Sequence, residues 1–426
     1  MTATADLLNF AGAEHYLPSA VRADALRLLG DTLAVGAAGA TAPGAQAILS
    51  AARAMGSGGE ARLIGTRDRL PAPGAAMVSG YRIHCLEWDA VHEPAVVHAL
   101  SVVTAALGAA IDRRGGCDPE AALAALAIGV DVASGLGLVA SSPLSFFRPA
   151  TAGVIGAALA VARIEGAPLK HALGLACSSA AGTMQAHVEG SIALPYQIAN
   201  AARAAVTVSD LAKAGFTGPL DPLEGPFGYF KLFDQGDLSH YTTHLGHVWR
   251  ITEISTKPFP SGRASHAALG ALQSFAGQAL ERVELACPPL IHRLVGRPSQ
   301  PDMTPAYARL CLPFLAALML ADGRIDPRRF TVASFVDPAL AELARKFVMV
   351  DDGNADPNAL FPQELRLTMA TGARHFIAIP HTLGSPDAPL SSVQIHAKLA
   401  LARDLAPATV DSRLFTDPLA YFTDPT

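Results

Sequence analysis

Apolar residues recur at helical spacing over residues 17–245 of this 426-residue chain. In "PSAVRADALRLLGDTLAVGAAG", Val21, Leu26, Leu29 and Leu33 fall near one face, with Ser19 placed to cap the helix and Gly39 to stop it. The same period predicts helices over residues 44–55, 74–88, 95–112, 119–140, 151–165, 169–181 and 196–214. After "GHVWRITEISTKPFPSG" the pattern changes. "ERVELACPP" and "FVMVDDG" read as short strands, and "ELRLTMATGARHFIAIP" as two strands joined at a Thr371-Gly372 turn. Between them "PAYARLCLPFLAALMLADG" reads as a helix, and "SSVQIHAKLALARDLAP" returns to helix. The expected fold is mainly α: a large all-α domain over 1–253, completed by helices in 391–426, and a smaller α+β domain over 254–390.

Composition narrows the function. Half of the residues are apolar and 16% are charged, with Ala and Gly throughout, which suits helices packed closely around a broad interior. A net charge of -5 offers no basic surface for a phosphate backbone, so nucleic acid is not an expected partner. The start "MTATADLLNFAGAEHYLP" has neither the basic, apolar and cleavage regions of a secretory signal nor the acid-poor character of a transit peptide, and a cytoplasmic protein is expected. The longest uncharged stretches fall short of the roughly 20 residues that span a bilayer, so no membrane is expected. Cys85, Cys117, Cys177, Cys287 and Cys311 are scattered without a CxxC pair, which disfavours disulfides, a zinc ribbon and an iron–sulfur cluster. "GLGLVASS" has only a GxG and follows a helical pattern, so it reads as packing rather than a dinucleotide loop.

The segment "IHCLEWDAVHEPAVVHA", residues 83–99, gathers three histidines and three carboxylates. On the predicted helix His84 and Glu87 share a face, and Pro94 suits the first turn of the next helix, placing His98 near its N-terminus. There the helix dipole favours a neutral, proton-accepting ring. A zinc site of the HExxH kind fails because Val96 stands where the second histidine belongs, and no metal is expected. The plainer alternative is that these groups cap helices and line a solvated groove. In "STKPFPSGRASHAAL", Ser261 can cap a helix that carries Arg263 and His266 on one face, with Lys257 upstream: a carboxylate receptor, or an ordinary linker with solvated charges. Arg148, in "SSPLSFFRPATAG", precedes a new helix beside two aromatics.

Taken together, these segments resemble the MmgE/PrpD family of 2-methylcitrate dehydratases and cis-aconitate decarboxylases. "GYRIHCLEWDAVHEPAVVHA" is similar to its H-x-L-D-F-D-D signature running on to a histidine, and "KPFPSGRASH" to its K-P-[YF]-P-x-x-R-x-x-H. The resemblance, which spans nearly the whole chain, implies a helical domain with an α+β lid, a homodimer, and metal- and cofactor-free chemistry on a small di- or tricarboxylate between the domains. It places His98 and His266 where the family has active-site histidines and aligns Lys257 and Arg263 with the second motif. Glu87 and Ala90 replace two aspartates of the first motif, Arg148 replaces a histidine, Leu194 and Gln197 replace a Lys and a His, and Phe314 stands where some decarboxylating members have Tyr. The expected roles are base for His98 oriented by Glu87, acid for His266, and carboxylate binding for Arg263, Lys257 and Arg148, with Arg148 restoring the charge lost at Leu194. A lyase is the leading expectation. An isomerase or epimerase, and a non-catalytic anion binder, are the alternatives.

Overall fold

Small residues set the spacing of the helices in the computed structural model, which describes residues 2–356 and 358–426. Helices Pro119–Leu138 and Gly153–Glu165 cross at Gly129 and Gly156, where a Cβ on Gly156 would lie 2.1 Å from the Gly129 carbonyl oxygen. Ala99–Arg113 packs beside both, and Ala193–Lys213 lies against Ala72–His84 and Gly153–Glu165. Ser19–Ala38 covers Ala72–His84. These helices surround one extended apolar core of Ala, Leu, Val and Ile. Pro119–Leu138 is long and apolar enough to cross a membrane, and 89% of its most apolar 18-residue window is buried inside the protein. Its length exceeds the uncharged stretches because Glu120 and Asp131 lie within it.

Most predicted helices form within a few residues of their expected bounds, with three differences. Pro18, not Ser19, occupies the N-cap of Ser19–Ala38. The predicted 74–88 helix stops at His84, and the predicted 95–112 helix begins only at Ala99. The region also holds a two-stranded antiparallel hairpin, β1 (Ala61–Arg62) and β2 (Arg69–Leu70), which the helical period hid.

The predicted strands assemble into a mixed four-stranded sheet. Its members are β3 (Leu280–Cys287), β4 (Phe347–Asp351), β5 (Gln363–Met369) and β6 (Arg374–Ile379), in the order β4-β3-β5-β6. β3 and β4 run parallel, and the other pairs run antiparallel. The β5–β6 hairpin turns at Gly372, whose φ of 84° suits glycine. Helices Leu312–Asp322 and Pro338–Lys346 cover the sheet and share a second apolar core with it. The helix expected over 305–323 is broken into Pro305–Ala308 and Leu312–Asp322, with Pro313 at the start of the second piece. Ser392–Leu405, opened by a Ser391/Gln394 capping box, packs against Ser19–Ala38.

Candidate active site

Helix Ala72–His84 delivers His84 at its last turn. The chain then bends through Glu87, which has a φ of 54°. Val91 pairs with Ser255, and His92 pairs with Val97 across a tight turn over Glu93–Val96, where Val96 has a φ of 53°. His92 braces this turn, accepting from Ala95 N at 3.2 Å and meeting Glu253 Oε2 at 2.9 Å. Among the described residues, Glu87 and Val96 are the two non-glycine residues with positive φ. Such a conformation costs on the order of 1–3 kcal/mol, and both instances fall in the segment that carries the polar cluster.

The bend turns Asp89 inward between two imidazoles. His84 Nδ1 and His98 Nδ1 each lie 2.9 Å from Asp89 Oδ2, and Ser101 Oγ donates to the same oxygen. Asp89 is fully buried, and although burial favours its neutral form, the two histidines hold its pKa well below the usual carboxylate range. A carboxylate only accepts, so both Nδ1 atoms carry hydrogens and both Nε2 atoms are left for other work. His84 Nε2 stands 3.4 Å from Glu87 Oε1. Burial opposes charge on His84, but Asp89 and Glu87 outweigh it and raise its pKa. Burial depresses His98, Asp89 only partly compensates, and the Lys257 charge adds to the fall. One carboxylate thus serves two rings whose proton affinities are driven apart, the arrangement that separates an acid from a base.

His84, Asp89 and His98 could in principle ligate a metal, since their ligand atoms lie within 4.8 Å of one another. Three proton donors already converge on Asp89 Oδ2, and an ion there would have to displace them. The donor set fits a hydrogen-bonded relay better than a metal.

The second motif meets this segment, but its residues serve different ends from those expected. Lys257 is wholly buried and donates to Glu87 O at 2.9 Å and Oε2 at 3.3 Å. Its ammonium is committed to holding Glu87, whose pKa falls to about 2 because Lys257, His84 and His98 overcome burial. Lys257 is therefore a support, not a carboxylate receptor, and Glu87 positions His84 rather than His98. His266 is fully buried off the cavity wall, with Nε2 at 3.2 Å from Ser261 O and Nδ1 at 3.4 Å from Arg263 Nη1. Burial, with the charges of Arg263 and Lys257, drives its pKa well below 6.5. A neutral imidazole so placed does not supply the expected acid; it buttresses Arg263. Ser261 bonds to Ser265 and His266 instead of capping a helix, and a 3₁₀ turn, Arg263–Ser265, precedes helix His266–Leu272.

Arg263 does reach the cavity. It donates to Glu93 Oε1 at 2.7 Å and to Leu383 O at 2.7 Å. Arg148 does not: its side chain is 3% exposed, with Nε at 2.9 Å from Asp234 Oδ1 and Nη2 at 2.8 Å from Ser142 O. The expected substrate contact at Arg148 gives way to a buried ion pair. Arg148→Ala is accordingly expected to destabilise the fold by about 3–5 kcal/mol, by leaving Asp234 uncompensated. A urea midpoint unchanged from the parent protein would show this pair to be dispensable. Gln197 is likewise structural, accepting from Thr183 N at 2.6 Å, while Leu194 lines the cavity as an apolar group.

Both apolar cores contribute to the walls of the cavity. His84, Glu87, Glu93 and His98 face Arg263, Gln363 and Thr382, and Leu144, Phe147, Met184, Leu194, Ile291, Leu294 and Leu310 fill the rest. His187 is also on the wall, its pKa lowered to about 4 by burial and by Arg297. Asp89 lies just behind it. The sequence assigns no separate role to His84, Asp89 or Glu93, and nothing in it singles out Gln363 or Thr382. The carboxylate of the first motif retained at Asp89 was the available signal.

Residues 11–241 match the MmgE/PrpD N-terminal domain, and residues 259–413 match the MmgE/PrpD C-terminal domain. The chain is 25% identical to the cis-aconitate decarboxylase-like protein oryM of Aspergillus oryzae, over 96% of this chain and 91% of that protein. It is 25% identical to cis-aconitate decarboxylase of Mus musculus, over 79% of this chain and 74% of the relative. Against cis-aconitate decarboxylase of Aspergillus terreus the figures are 24%, 86% and 82%. With both domains matched across most of its length, the chain belongs to the MmgE/PrpD family.

Proposed function

We propose that the chain is a lyase acting on a small carboxylic acid, with His98 as base and His84 as acid. The observation that carries this reading is the sharing of Asp89 by two cavity-wall imidazoles whose pKa values move in opposite directions. The names of the related decarboxylases support the reaction class. In a dehydration, His98 Nε2 takes a proton from the carbon next to the carboxylate, and His84 gives its proton to the departing hydroxyl, which leaves as water. In a decarboxylation, CO₂ leaves and His84 protonates the carbon that carried it. Arg263 stands where negative charge on a substrate carboxylate is best held.

The two rings lie 4.8 Å apart on one wall, so proton removal and leaving-group protonation occur from one side, as a syn elimination requires. An epimerase needs a donor on the opposite face of the carbon. The same reading takes residues 1–253 and 391–426 as a helical body and 254–390 as a lid, in a metal-independent cytoplasmic homodimer.

Incubation in D₂O with citrate-, aconitate- and succinate-like acids and with hydroxylated monocarboxylic acids, followed by NMR, tests the reaction. New alkene or CO₂ is expected, whereas exchange with inversion and no elimination would replace the lyase by an epimerase. For an acid that is turned over, kcat/KM is expected to follow a bell in pH. His98 protonates as pH falls through its depressed pKa, which sets the acid limb below 6.5. His84 loses its proton as pH rises through its elevated pKa, which sets the basic limb above 6.5. A profile falling steadily from pH 5 to 8 would contradict this assignment.

A further inference from the structure

Charge on the cavity wall bears on which acid can enter. Arg263 is its one permanent cation among the described residues, and Glu93 already neutralises it at 2.7 Å. Glu87 is matched by Lys257 behind it, and Asp89 by its two histidines. Nearby Arg148 is spent on Asp234, and Arg297 donates to His187 O while stacking on Tyr307, 4.8 Å from the ring centroid. Arg309 lies over the Phe330 ring rather than on the wall. Arg297 and Arg309 have no carboxylate partner but do not line the cavity, so no surplus positive charge lies on its wall among the described residues. A tricarboxylate would bring three anions into a space with one shared cation, and each unpaired carboxylate would lose its water without compensation.

Among the described residues that line the cavity, three have a buried side-chain polar atom without a hydrogen bond. Arg263 Nε and Gln363 Oε1 are buried with no hydrogen-bond partner, and His84 Nε2 makes no hydrogen bond, with only the Glu87 carboxylate near it at 3.4 Å. The Arg263 side chain is 8% exposed, and His84 and Gln363 are 1% and 3% exposed. Gln363 Nε2 donates to Leu360 O at 3.0 Å, which fixes the amide and leaves its oxygen to accept. Arg263 Nε is a donor, His84 Nε2 is a donor when the ring is charged, and Gln363 Oε1 is an acceptor. This set suits one carboxylate and one hydroxyl. The remaining wall, including Leu144, Phe147, Met184, Leu194 and Ile291, suits an apolar body.

We propose that the cavity takes a hydroxylated monocarboxylic acid with an apolar body, in preference to a di- or tricarboxylate. The inference rests on the reading of this cavity as the reaction site and names the acid that it admits. Arg263 would receive the carboxylate, His84 and Gln363 the hydroxyl, and the side chain would lie along Leu194.

Calorimetric titration of the full chain at neutral pH with 3-hydroxy-3-methylbutyrate, citrate and cis-aconitate tests it, with solvent deuterium exchange followed in the same samples. The hydroxy monoacid is expected to bind at least tenfold more tightly than either tricarboxylate. Equal or tighter binding of citrate or cis-aconitate overturns the inference, as does failure of every acid to bind. Binding of the monoacid without exchange or product upholds the substrate class while refuting the lyase. Turnover of cis-aconitate alone does the reverse. Leu194→Lys is expected to shift the preference toward cis-aconitate at least tenfold, and an unchanged preference in the folded variant overturns the role given to the apolar wall. The parent-protein titration decides the matter if that variant does not fold.

Discussion

Asp89→Asn is expected to lower kcat by about 10³–10⁴-fold, comparable to the loss when a carboxylate that orients a catalytic imidazole becomes an amide. The reason lies in hydrogen-bond valence. Asp89 Oδ2 accepts from His84 Nδ1, His98 Nδ1 and Ser101 Oγ, and Oδ1 lies 3.1 Å from His84 Nδ1, whereas an asparagine has one accepting oxygen and an NH₂ that only donates, so in either orientation its NH₂ faces a ring N–H. One ring must then reverse its tautomer, turning its lone pair toward the amide and its hydrogen toward the cavity. If that ring is His98, the base is lost; if it is His84, the charge that Asp89 supports is lost with it. An Asp89→Asn protein that folds, as judged by circular dichroism, and keeps kcat within threefold of the parent would remove Asp89 from the mechanism.

His98→Gln and His84→Gln are each expected to cost about 10²–10⁴-fold in kcat, and they separate the two roles through pH. Without His98 the acid limb of the profile should vanish, because the base whose protonation sets that limb is gone. Without His84 the basic limb should vanish, since its raised pKa sets that edge. Persistence of the acid limb in His98→Gln would place the base elsewhere, with His187 the next imidazole on the wall.

Periodicity makes the helices and strands legible because each element buries a face whose spacing the sequence records. Site roles are less legible, because they depend on partners far along the chain. Lys257 and Glu87 are 170 residues apart, and Arg148 and Asp234 are 86 apart. A lone arginine before a helix reads the same whether its partner is a substrate or a buried aspartate. The exchange of Glu87 for Asp89 as the orienting group has a local cause. Helical spacing would align Glu87 with His84, but the helix ends at His84 and the left-handed bend at Glu87 brings Asp89 between the rings. The pairing of Arg263, expected to bind a carboxylate, with Glu93 depends on the tight turn at Glu93–Val96, which no local spacing records.

The backbone carbonyl of Trp88, immediately before Asp89, accepts from Lys398 Nζ at 3.2 Å, a contact between residues 310 positions apart, and Lys398 also pairs with Asp31 at 2.6 Å. So large a loop closes late, after local helices have formed and their packing can offset its entropy. During synthesis, the bend that holds Asp89 gains this brace only once the ribosome has released residues 392–405. A nascent chain can therefore assemble most of its helical core while its histidine pair is still unbraced, so chemical competence follows structural completion instead of preceding it.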